Sequence, residues 1–122
     1  MTVGELLKRA LSLIFENDDT DYKSYAAGFA QELMQETFAA NNLLRKQAGK
    51  EELTELPIIE GLESEISWEQ PLLLTVLPYG MASRIVYDDM DMNKVQYWHN
   101  RYIEALSEIT GSYTERIEDV YR

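Results

Sequence analysis

Apolar residues recur at helical spacing along most of this chain. Val3, Leu6, Leu7, Ala10, Leu11 and Ile14 fall on one side of a first helix, expected to run to about Phe15. Thr2 and Glu5 give that helix an S/T-x-x-E capping box, in which the threonine hydroxyl and the glutamate each satisfy a free backbone N–H. Residues 16–21, Glu-Asn-Asp-Asp-Thr-Asp, interrupt the pattern with turn formers. Asp21 or Ser24 is then expected to cap a long second helix that reaches about Gln47 and stops at Gly49, a natural left-handed C′ residue. Its apolar stripe is read as Tyr25, Phe29, Leu33, Phe38 and Leu44, with Ala26, Ala30, Met34 and Thr37 on the flank.

Residues 50–70 lose the helical period. They hold seven glutamates and one lysine, with Pro57 and Gly61. Leu56-Pro-Ile-Ile and Ile66-Ser-Trp suggest short extended pieces, a small hairpin of two strands being one option, around an acidic loop. Trp68 reads either as a lid on the core or as a subunit contact. Pro71 restarts a helix, and Leu72, Leu73, Leu74, Val76 and Leu77 are apolar nearly all round, as in a central element. Pro78 then either kinks this helix or begins a new one, so 72–88 reads as one helix or two. After the acidic turn at Asp88, Asp89 and Asp91, with Asp89 or Asp91 as N-cap, a last helix carries Val95, Trp98, Tyr102, Ala105, Leu106 and Ile109 on one stripe. Lys94, His99, Asn100, Glu104 and Ser107 are left to solvent. Arg101 is expected to bridge to the acidic turn. Gly111 is expected to close the helix, leaving 112–122 as a tail. The resulting fold class is all-α: a small bundle of four to five helices in a domain over 1–111, with the acidic excursion at 50–70.

The 122 residues fit one domain, and 45% hydrophobic content is enough for a core. With 22 acidic residues against 11 basic ones, the net charge of −11 argues against a nucleic-acid binder or a ligand of anionic membranes, both of which need excess cations. No run of eighteen apolar residues would span a bilayer, and the first residues lack the basic-then-apolar order of a secretory signal. The absence of cysteine removes disulfides, thiol chemistry and thiolate metal sites.

No catalytic pattern is singled out. The chain has one histidine, His99, and no G-x-S-x-G, Walker or G-x-G-x-x-G motif. An EF-hand loop begun at Asp89, Asp91 and Asn93 puts Lys94 where glycine is required and Asn100 where the bidentate glutamate belongs. One begun at Asn17, Asp19 and Asp21 puts Tyr22 and Gly28 at those places. Glu32 and Glu36 stand one turn apart as like charges, which reads as a solvated or interface edge.

Leu77, Tyr79, Gly80, Ala82 and Ile85 form an L-x-Y-G-x-A-x-x-I helix, followed by the acidic turn and by the R-Y-x-x-A-L helix of Arg101, Tyr102, Ala105 and Leu106. This arrangement resembles the head–tail adaptor (connector) proteins of tailed bacteriophages. The likeness covers the last third of the chain closely and the first half in general layout. It implies a structural protein of the virion, not an enzyme and without cofactor, assembled in the bacterial cytoplasm of a phage or prophage host. Such a protein forms a ring under the portal and extends the DNA channel. The implied partners are the portal protein, other tail-connector proteins and copies of this chain. DNA passes through without being specifically bound, and no membrane is involved. The resemblance also implies that the tail reaches the portal, with Tyr113, Ile117, Val120 and Tyr121 as its contact residues. Glu51, Glu52, Glu55, Glu60, Glu63 and Glu65 would then face the lumen or the next ring. A different class is an acidic inhibitor that mimics DNA and binds a basic partner. The clustering of the acids in loops, rather than along one face, weighs against it.

Overall fold

The computed structural model of the protein describes residues 1–16 and 18–121; the side chains of Asp89 and of residues 112–121 fall outside the description. Among the described residues four α-helices make up the architecture: α1 (Val3–Leu13), α2 (Lys23–Gln47), α3 (Leu77–Val86) and α4 (Met92–Tyr121). The fold is all-α. No strand occurs among the described residues. In place of the hairpin entertained for 50–70 stands one isolated antiparallel bridge between Thr2 and Glu65.

The entry to α1 follows from its first residues. The Thr2 hydroxyl accepts from the Glu5 N–H at 3.1 Å while the Glu5 carboxylate reaches back to the Thr2 N–H, completing the capping box. Val3, Leu6, Leu7, Ala10 and Leu11 are buried as the spacing requires. The exit turns on Phe15, which takes a left-handed φ of 59°, so that the Glu16 and Phe15 N–H groups bond back to the Leu11 and Ser12 carbonyls.

α2 ends as expected, with Gly49 at φ 77°. Its start and its buried face differ from expectation. Neither Asp21 nor Ser24 caps it. The chain enters from a turn already in helical conformation, in which the Asp19 carbonyl accepts from the N–H groups of Tyr22 and Lys23. The face turned inward is Ala26, Ala30, Leu33, Met34, Thr37, Ala40 and Asn41. Tyr25 is exposed, and Phe29, Phe38 and Leu44 pack along the flanks of the core. Steps of four and three residues from Ala26 to Ala40 hold the helical period, whereas the large residues drift off it.

The 50–70 segment is a strap held down by amide side chains of α2. Asn42 donates to the Leu53 carbonyl at 3.0 Å and accepts from the Leu53 N–H at 2.8 Å. Gln31 makes the same two-way clasp on the Pro57 carbonyl and the Ile59 N–H. Asn41 accepts from the Glu69 N–H, and Arg45 donates to the Glu51 carbonyl. At the far end the strap joins the start of the chain, with Val3 N–H to Ser64, Gly4 N–H to Leu62 and Ile66 N–H to Met1 carbonyls. Backbone groups that would otherwise need a sheet are satisfied by side chains and by three terminal residues. Leu53, Leu56, Ile59 and Leu62 turn toward the core beneath. Trp68 is a core residue, 4% exposed, whose indole N–H donates to the Thr37 hydroxyl at 2.8 Å.

Residues 72–88 form one continuous helical run. Its first section, Leu72–Val76, is π-helical, with the Leu77 N–H reaching the Leu72 carbonyl. Pro78 has no N–H to give and its ring crowds the carbonyl four residues back; the wider π turn just before it accommodates both. Leu72, Val76 and Leu77 are fully buried, but Leu74, expected in a central element, stands half exposed on the outer side. A 3₁₀ turn, Tyr87–Asp89, and the left-handed Met90 lead to Asp91, whose carboxylate caps α4 through the Asn93 and Lys94 N–H groups. α4 continues through Gly111 to Tyr121, so Gly111 keeps a helical φ and does not act as a C-cap. No helix is long and apolar enough to cross a membrane among the described residues.

Candidate functional site

The best organised surface lies where α3 and α4 close on each other and on α2. The two helices of the L-x-Y-G and R-Y-x-x-A-L segments meet in register. Arg101 Nη2 donates to the Tyr79 hydroxyl at 3.1 Å, and its guanidinium lies 4.9 Å from the centre of the Tyr79 ring and 5.8 Å from that of Tyr97. The hydroxyl bond raises the guanidinium pKa further, with the neighbouring phenols adding to it. Among the described residues the expected bridge from Arg101 to the acidic turn is not formed. Ten residues separate it from Asp91, about 15 Å along a helix axis, which carries it away from the turn and over Tyr79.

One residue further on, Tyr102 packs on Gly80. A Cβ at Gly80 would run into Leu33 Cδ2 and stand 3.0 Å from the Tyr102 ring. Leu77, Gly80, Ala82, Ile85 and Tyr102 are buried; Tyr79, Ala105 and Leu106 pack against the core edge, and the Trp98 ring lies tilted by 40° against Tyr79, centroids 6.0 Å apart. The motif residues are thus the interlocking surface of a helical hairpin.

α2 completes the site from the other side. Arg84, the single cation of α3, donates from Nε to Glu32 at 3.1 Å and from Nη2 to Glu36 at 2.7 Å. Glu36 also accepts from the Tyr102 hydroxyl at 2.7 Å. Burial, and then the bond to Glu36, hold the Tyr102 phenol protonated well above its ordinary pKa. The two glutamates that looked like mutual repulsion on one helix face therefore bracket a shared arginine. Nothing in the sequence marks Arg84 as their partner 48 and 52 residues away, except that it is a lone charge within an apolar helix. An open groove of about 450 Å³ runs over this network, lined by Phe29, Glu36, Arg84, Tyr87, His99 and Tyr102.

His99 is exposed, with its ring centroid 6.5 Å from that of Tyr102, and has no hydrogen-bonded acid or nucleophile beside it among the described residues. No group of three or more potential metal ligands converges among the described residues. What the arrangement offers chemically is stacking surface and fixed charge. Glu51, Glu52, Glu55, Glu60, Glu63 and Glu65 are all exposed on the strap, and none of them lines this groove; Glu65 pairs with the Met1 ammonium at 2.9 Å. Tyr113, Ile117, Val120 and Tyr121, expected as the partner-docking tail, have side chains outside the described residues. No family model, no curated protein and no solved structure matches this chain.

Proposed function

We propose that this protein is an assembly subunit of a tailed-phage virion, resembling the head–tail adaptors, that joins a ring beneath the portal and lines the path of the DNA. The observation that carries the reading is the register of the α3–α4 hairpin. The segments that resemble the adaptor pattern touch one another through Tyr79 with Arg101 and Gly80 with Tyr102, as parts of one structural device would. Two further features support it. The strap turns six exposed glutamates outward, a surface suited to letting DNA slide. Several large apolar side chains, among them Ile58, Met90 and Met92, are left at the surface, where an assembly partner would cover them. In this reading the partners are the portal protein, neighbouring copies and the next connector protein, and the 112–122 segment engages the portal.

The test is affinity capture from the native host after prophage induction, with mass spectrometry of the retained proteins. Recovery of a portal protein with other virion components is the expected result. Recovery of one DNA-binding protein that salt releases would overturn it in favour of an acidic inhibitor. Replacing Ile117 and Tyr121 by aspartate is expected to abolish portal capture while the far-ultraviolet circular dichroism stays unchanged. Retained capture would remove the tail from the interface.

A further inference from the structure

The α1–α2 and α3–α4 connections meet at one end of the bundle, because a cavity of about 230 Å³ takes its lining from both. Tyr22, Tyr25, Phe29 and Tyr87 supply four aromatic rings to it, and Asp21 and Asp88 two carboxylates. Tyr25 and Phe29 are stacked, centroids 6.2 Å apart. Tyr25 and Tyr87 remain 61% and 65% exposed, so much of each side chain is open to solvent. Asp21 and Asp88 are exposed, and no described residue forms an ion pair with either. Arg84 also touches the cavity, but its charge is matched by Glu32 and Glu36. The cavity therefore keeps a negative balance among π faces, the chemistry that attracts an organic cation.

Two residues of these connections point to a protein as the source of the cation. Phe15 and Met90, in the same two connections, are left-handed at φ 59° and 55°. That conformation disfavours side chains with a Cβ, by roughly 1 kcal/mol or more. Both are large and apolar, and at 94% and 85% exposure neither contributes to the core. Apolar knobs held at strained positions in the two connections that also line a cation-accepting cavity form a macromolecular surface.

We infer that this end of the bundle is a docking site for a partner protein, and that the cavity between α2 and α3 receives an arginine side chain from it. A guanidinium is planar, stacks on aromatic faces and bonds carboxylates through two N–H groups at once, which an ammonium does not. The chain uses the same chemistry internally where Arg101 lies over Tyr79 and Tyr97. The inference does not depend on the partner's being a portal or connector protein.

The test is a nuclear magnetic resonance titration of the full chain with N-acetyl-arginine amide, with the neutral isostere N-acetyl-citrulline amide, and with N-acetyl-lysine amide. The arginine probe is expected to shift the Tyr25 and Tyr87 ring signals and the Ile85 methyls saturably, and the other two to do so far less. Asp21→Asn with Asp88→Asn should weaken the arginine probe about tenfold, ~1.4 kcal/mol, with the remaining spectrum unchanged. Equal shifts from citrulline, equal binding of lysine, or shifts scattered over the acidic surface without saturation would each overturn the assignment, as would the absence of any shift.

Discussion

The Tyr102 ring covers Gly80 so closely that a single added carbon at residue 80 would stand 3.0 Å from it. The contact joins α4 to α3, and Leu33 of α2 closes it from the third side. Gly80→Ala gains about 1 kcal/mol of helix propensity. Overpacking a site whose neighbours Leu33 and Tyr102 are buried costs about 1–3 kcal/mol, and should win. Urea unfolding is expected to show a net loss of about 1 kcal/mol for the alanine variant and no cooperative transition for Gly80→Leu.

Tyr102 gives the fold a pH limit. Its phenol, shielded from water and bonded to Glu36, titrates higher in the folded chain than in the unfolded one. The folded state therefore holds this proton more tightly. Its contribution is complete below the unfolded tyrosine value of about 10 and is lost as pH rises from there through the folded value. Thermal melts between pH 8 and 11.5 should show stability falling above about pH 10, and Tyr102→Phe should flatten that fall.

Trp68 and Thr37 allow a hydrogen bond to be separated from volume. The Thr37 hydroxyl donates to the Leu33 carbonyl at 2.7 Å and accepts the indole N–H, all in the interior. Thr37→Val keeps the shape but strands a buried donor, at a cost of about 1–3 kcal/mol. Thr37→Ser keeps the bond and is expected to cost less, by the same unfolding assay.

The strap should be separable from the bundle. Gln31→Ala with Asn42→Ala removes four bonds to the strap backbone and no core side chain. Hydrogen exchange of the Leu53 and Ile59 amides is expected to accelerate strongly, while the α1 and α3 amides keep most of their protection.

Phe15→Gly deletes a large apolar side chain, which in a core would cost about 3–5 kcal/mol. At this exposed left-handed position the melting temperature is expected to hold or rise, since glycine fits the conformation freely. A clear drop would show that Phe15 is held in the fold.

The local signals in the sequence were sound where one element decides its own geometry. The Thr2–Glu5 box, the Gly49 turn, the Asp91 cap and the α4 stripe all depend on neighbours within a turn or two. What escaped was decided by partners far along the chain. The exposure of Tyr25 and the burial of Ala26 reflect which side of α2 the other helices approach, and residue size alone ranks them the opposite way. Gln31, Asn41 and Asn42 look like ordinary polar positions until the strap lies across them. Arg84 and Arg101 took partners that charge pairing with nearby acids does not suggest, one bracketed by two glutamates of α2 and the other laid on a tyrosine.

The junction of residues 1–4 with 62–66 bears on how the chain reaches this state. The helices can form from contacts within a few residues, but the Ile66–Met1 bond closes a loop of more than sixty. Closure entropy grows only as the logarithm of loop length, so the penalty is modest once α1 and α2 have brought the ends near each other and large before. The order of events should follow: a helical nucleus of α1, α2 and α3 first, then the strap laid over it. Residues 62–66 would therefore speed unfolding when weakened and hardly change the rate of folding.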